Sequence, residues 1–94
     1  MEREEMVAVD SELLDVIAGL DNRDDIRQFF KDMFTPAELA DLSLRWKLLK
    51  ALDQGQTQRS IAKEYGISLC KITRGSKILK DEKSVVPKLL KKRH

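Results

Sequence analysis

Apolar residues recur along this chain at spacings of three and four, and short polar segments part the stripes they form, which predicts helices throughout. Leu13, Leu14, Ile17 and Leu20 make the first stripe, with Asp10 or Ser11 as its cap and Gly19 near its end. After a restart at Asp21 or Asn22, Ile26, Phe29, Phe30, Met33 and Phe34 make a second stripe through about Met33. Three phenylalanines so close together are read as core, and a dimer interface is the place expected for that core. Thr35-Pro36 opens a third helix: threonine caps it, proline takes the first helical position without losing a hydrogen bond, and Glu38 stands where a capping-box acid belongs. Leu39, Leu42, Leu44, Trp46, Leu48, Leu49 and Leu52 then cover more than one face. That pattern suits a long central helix with neighbours on several sides, ending near Gly55. Trp46 is read as core or interface, and Arg45, Lys47 and Lys50 stand on the more polar sides.

The stretch from Thr57 to Lys80 carries the clearest signal. Thr57 caps a short helix over about Gln58 to Glu64, with Ile61, Ala62 and Tyr65 on its buried face. Gly66 is placed to end it in a left-handed conformation, and Ser68 caps a second helix over Leu69 to Leu79. Small Ala62 and branched Ile72 flank the turn as two closely crossing helices require. This is the spacing of a helix-turn-helix, and the competing reading is an αα-hairpin that packs on protein. Beyond it, Asp81 to Lys83 forms a polar break, and Val85, Val86, Leu89 and Leu90 predict a short last helix over Ser84 to Leu90 around Pro87. The tail KKRH is expected to fray. So is Met1 to Asp10, although Met6, Val7 and Val9 are available to pack on a partner.

Composition narrows the function more than the fold. The chain has 94 residues, so one domain covering 1–94 is expected, with a core thin enough that dimerisation would relieve it. With 36% charged residues, two prolines and four glycines, the fold class is all-α. Cys70 and His94 are the sole cysteine and histidine, which argues against a disulfide framework, a zinc or other metal cluster and a cysteine–histidine nucleophile pair. No enzyme is expected. No apolar run has the length of a membrane span, and the start MEREEM is too acidic for a signal peptide, so the expected location is the cytoplasm, away from membranes.

The net charge of +2 conceals a segregation. Residues 1–41 hold 12 acidic against 4 basic side chains, and residues 42–94 hold 14 basic against 4 acidic. A basic half that carries a helix-turn-helix implies a polyanionic partner, double-stranded DNA, and speaks against a hairpin that merely packs on protein.

The string Ile72-Thr73-Arg74-Gly75-Ser76, the TP that opens the long helix, Arg45 within it and the TQR at Thr57 to Arg59 together resemble the bacterial tryptophan repressor family. The likeness is close from about Met33 to Lys80. Upstream, only the two-helix pattern and the length match. The resemblance implies an intertwined homodimer of six-helix chains, no catalytic role, and a transcriptional repressor that binds a palindromic operator with L-tryptophan as corepressor. It further implies that Arg45 and Arg74 sandwich the indole, with Arg74 also pairing with the carboxylate, both tasks that suit a planar guanidinium. Thr35 would reach the carboxylate through its hydroxyl, Gly75 would admit the ring close to the backbone, and the carbonyls of Asp32 and Phe34 would accept from the ammonium. Ile78 stands where the family carries a serine that helps hold that ammonium, Lys71 where it carries a threonine and Lys77 where it carries an asparagine. A regulator answering another small molecule, or none, is the alternative these departures leave, and for Arg45 and Arg74 a phosphate contact or surface ion pair stays open. On the DNA side, Gln58, Arg59 and Lys63 match positions that meet the duplex backbone or a base edge. Leu69, Cys70 and Thr73 match those facing the major groove, and Lys71 and Lys77 are further basic residues the groove would accept. The other reading of Cys70 is a buried or inert thiol.

Overall fold

A computed structural model describes residues 9–93, in which every regular element is a helix. The six are α1 (Ser11–Ala18), α2 (Arg23–Met33), α3 (Pro36–Asp53), α4 (Gln58–Tyr65), α5 (Leu69–Lys80) and α6 (Val86–Arg93). Met6, Val7 and His94 lie outside the described residues. The chain divides into two compact units, one ending at Leu39 and one beginning at Ala40.

In the first unit, local hydrogen bonding sets the helix boundaries. The Asp10 carboxylate caps α1 by accepting from the Leu13 N–H at 3.0 Å. Asn22 caps α2 by accepting from the N–H groups of Asp24 and Asp25. At the head of α3, the Glu38 N–H donates to the Thr35 hydroxyl at 3.1 Å and the Thr35 N–H donates to the Glu38 carboxylate at 2.9 Å, the complete reciprocal capping box. Neither α1 nor α2 buries a residue. Phe30 stacks obliquely between Phe29 and Phe34, with ring centroids 6.3 and 5.6 Å apart. Phe29 and Phe30 are only half-buried, and Phe34 is exposed, so within one chain the aromatic stripe is not an interior.

The second unit holds the buried cluster. Leu48 and Ala51 of α3, Ile61 of α4 and Ile72 of α5 meet, with Leu52, Ala62, Tyr65 and Ile67 packed around them. Ile61 and Ile72 have no exposed surface, and burying such a side chain contributes about 1.5–3 kcal/mol. The turn between α4 and α5 follows from its sequence. Gly66 takes a left-handed conformation at φ 64°, its N–H donates to the Ala62 carbonyl, and Thr57 and Ser68 cap the two helices. The Gln56 side-chain amide ties the approach to the body of α4 by donating to Ser60 Oγ and Glu64 Oε1.

Three expectations change or narrow. Of the two readings of Trp46, a place in the core of the chain falls, since it is 36% exposed and the buried face of α3 runs through Leu48, Leu49 and Ala51, which leaves the interface reading. The last helix begins at Val86, where the Ser84 hydroxyl accepts from the Val86 N–H. It runs on to Arg93, so Lys91, Lys92 and Arg93 are helical rather than a frayed tail, behind a Leu90 that is 1% exposed.

Candidate ligand cavity and nucleic-acid face

Small residues let α5 approach α3. A Cβ on Gly75 would stand 3.2 Å from Leu52 Cδ1 and 3.5 Å from two Leu48 carbons, so a side chain much larger than a methyl would press the helices apart. The two helices leave a cavity of about 280 Å³ between them, just under the roughly 300–1,000 Å³ usual for small-molecule sites. Its apolar walls come from Leu44, Leu48 and Leu49 on α3, Ile67 in the turn and Ile78 on α5. Its polar groups are Asp41 and Arg45 on α3 with Lys71 and Arg74 on α5. The cavity thus brings together Arg45, Arg74, Gly75 and Ile78, four positions the resemblance had singled out.

Three cations against one carboxylate make the cavity attractive to an anion. Asp41 engages two of them, reaching Arg45 Nη2 with one oxygen at 3.0 Å and Lys71 Nζ with the other at 3.7 Å. Arg45 therefore has both a cavity wall and a surface ion pair, the two readings left open for it. Arg74 takes part in none of the ion pairs found among the described residues. An anionic head meeting an uncommitted guanidinium above apolar walls is the arrangement a small amphipathic acid needs. Asp41 escaped the sequence reading. Its spacing of four from Arg45 was a usable signal, but its approach to Lys71 depends on how α3 and α5 pack.

The other three ligand-binding expectations lie in the first unit. Thr35 uses its hydroxyl oxygen as the α3 cap and keeps its O–H as a donor. The Asp32 side chain accepts from Gln28 Nε2 at 2.8 Å. Its carbonyl is in the last turn of α2, and the residue four further on is Pro36, which has no N–H to offer it. Phe34 follows as the extended C-cap.

The face expected to meet DNA is exposed. Gln58, Arg59 and Lys63 project from α4, and Leu69, Cys70, Thr73 and Lys77 line a shallow groove on α5 together with Arg74. Cys70 is exposed in the first turn of α5, which removes the buried-thiol reading. Lys71 faces the other way, into the cavity and toward Asp41. Among the described residues no group of potential metal ligands forms, and no helix is long and apolar enough to cross a membrane.

Comparison with known proteins identifies a family. A family model described as Trp repressor protein matches residues 10–94. A Trp operon repressor homolog of Chlamydia trachomatis serovar D is 41% identical over 58 residues, covering 56% of this chain and 62% of the relative. One from Xylella fastidiosa strain M23 is 31% identical over 70 residues, covering 73% of this chain and 76% of the relative. One from Chlamydia caviae is 34% identical over 70 residues, covering 73% and 69%. The chain thus spans 62% of the length of the chlamydial relative first named. No solved structure matches it.

Proposed function

Because the chain belongs to the Trp repressor family, we propose that it is a dimeric, sequence-specific DNA-binding transcriptional repressor, a single domain acting in the cytoplasm, that L-tryptophan activates as corepressor at a palindromic operator. The observation that carries this reading is the pair Arg45 and Arg74, brought from two helices to one cavity that Gly75 also lines. Arg74, free of ion pairs among the described residues, would take the carboxylate, and the two guanidinium planes would flank the indole. Thr35 and the carbonyls of Asp32 and Phe34 would complete the polar contacts. Gln58, Arg59 and Lys63 would hold the duplex backbone, while Leu69, Cys70 and Thr73 would enter the major groove with Lys77 beside them. Small and apolar residues there cannot form bidentate contacts to bases, so readout would rest on bridging waters, groove shape and thymine methyls.

A ligand between α3 and α5 would fix α5 at the spacing of successive major grooves, about 34 Å in the dimer. The coupling is then reciprocal: operator DNA tightens tryptophan binding by the factor by which tryptophan tightens operator binding. Calorimetric titration with L-tryptophan, followed by operator binding with and without it, tests this. Saturable binding and an equal factor in both directions are expected. Absence of binding at millimolar tryptophan would transfer the assignment to a regulator with another effector or none. That second reading draws its support from Ile78 and Lys71, which line the cavity where the family carries serine and threonine.

A further inference from the structure

Lys71 belongs to the second helix of the helix-turn-helix but not to the face proposed to meet DNA. At about 100° per residue around α5, it stands roughly 160° from Thr73 and 120° from Lys77, on the side of Gly75 and Ile78. It lines the cavity and takes no part in the groove of Leu69, Cys70, Thr73, Arg74 and Lys77. Its partner there is Asp41 of α3, at 3.7 Å. The pairs Arg27–Asp24 and Arg45–Asp41 lie within single helices, whereas this one joins two. We infer that Asp41 and Lys71 are positioning residues: their ion pair ties α5 to α3 beside the cavity and so raises the affinity of the protein for DNA without touching DNA.

Such a tie has leverage because little else holds α5 to α3. α5 packs chiefly against its chain neighbours α4 and α6. Toward α3 it offers Ile72, in the buried cluster with Leu48 and Ala51, and Gly75 beside Leu48 and Leu52. Burial of that kind is non-directional, and an ion pair adds a preferred side. Asp41 is already steadied for the task. Its other oxygen meets Arg45 Nη2, one turn further along α3, at 3.0 Å, so less freedom is lost when Lys71 joins. With its side chains 40% and 56% exposed the tie is weak, and it shifts the balance between tied and untied α5 by no more than its own strength. For an exposed pair that is about two- to fivefold in DNA affinity for each α5.

The inference rests on the proposed reading of α5 as the helix that meets DNA, and one experiment separates the two. The full-length chain selects a duplex from a random-sequence pool with L-tryptophan present. Affinity for that duplex is then measured without added effector for the unaltered protein, Asp41→Asn, Lys71→Ala and the reversed pair, Asp41→Lys with Lys71→Asp. Asp41→Asn decides the matter, because it takes a negative charge from a protein that binds a polyanion. Charge alone would tighten binding, whereas loss of the tie weakens it. Both single variants should lose about two- to fivefold per α5, roughly four- to twenty-five-fold for a dimer, and the reversed pair should recover the loss. Circular dichroism and the stoichiometry at saturating DNA report whether each variant is folded and active. Tighter or unchanged binding by Asp41→Asn would overturn the inference, and so would a reversed pair no better than the single variants. An unaltered protein that binds the duplex only with tryptophan present would overturn it too, while leaving the repressor reading intact. If no duplex is selected, the DNA reading itself fails, and this inference with it.

Discussion

Glycine inside a helix costs about 1 kcal/mol relative to alanine, yet Gly75 lies in the middle of α5, buried against two leucines of α3. Its value is the closeness it permits. An alanine there would press on Leu52 Cδ1 at 3.2 Å, the end of a flexible, half-buried side chain that yields by a few tenths of an ångström. Gly75→Ala should therefore stay within about 1 kcal/mol of the parent, the helix gain offsetting the squeeze. Leucine at the same position would run into Leu48, which is 4% exposed and has nowhere to go. We expect Gly75→Leu to lose about 1–3 kcal/mol in urea unfolding and to lose the ligand cavity as well. Unchanged stability in the leucine variant would show that α5 does not rely on this contact.

Helices and turns are set here by short-range chemistry. The cleanest case is Gly66, where φ is 64° and an added Cβ would meet nothing within 4 Å. Replacement by alanine should cost about 1–2 kcal/mol through the backbone alone, and asparagine should recover part of it. Chemical denaturation of the two variants checks this, and an alanine variant as stable as the parent would contradict it. The same locality explains what could be read from the sequence. The capping box of Thr35 and Glu38, the caps Asn22, Thr57 and Ser68, and the stop at Gly66 involve partners within four residues, so each was legible. Arg45, Arg74 and Gly75 were identified through resemblance, and their meeting in one cavity needed the packing of α3 on α5. Asp41 and Lys71, thirty positions apart, leave no periodic trace of their pairing. Trp46 was legible only as core or interface, because an aromatic in an apolar helix suits either, and only the position of Leu48 and Ala51 shows that it is not in the core of the chain.

At the scale of the molecule, apolar surface outnumbers places to hide it. Leu14, Ile17, Ile26, Met33 and Phe34 in the first unit are all more than a third exposed, while six side chains make up the buried apolar set among the described residues. Scattered exposed leucines are ordinary, but stripes of them on two successive helices are what an obligate dimer covers. If dimerisation and folding are one event, the melting temperature must depend on protein concentration. A tenfold increase should raise it by roughly 2–4 °C for an assembly of this size, read by calorimetry or circular dichroism. A concentration-independent melt with a monomeric sedimentation profile would rule the dimer out.

Arg74 borders two hollows at once, the cavity against α3 and the shallow groove along the outer side of α5. Under the proposed function, one side chain then belongs to both vocabularies, that of the effector and that of the operator. A lineage cannot retune either by exchanging Arg74 without disturbing the other, so evolutionary drift in effector choice must proceed through neighbours that touch only the cavity. Ile78, which lines the cavity and not the groove, is a neighbour of that kind.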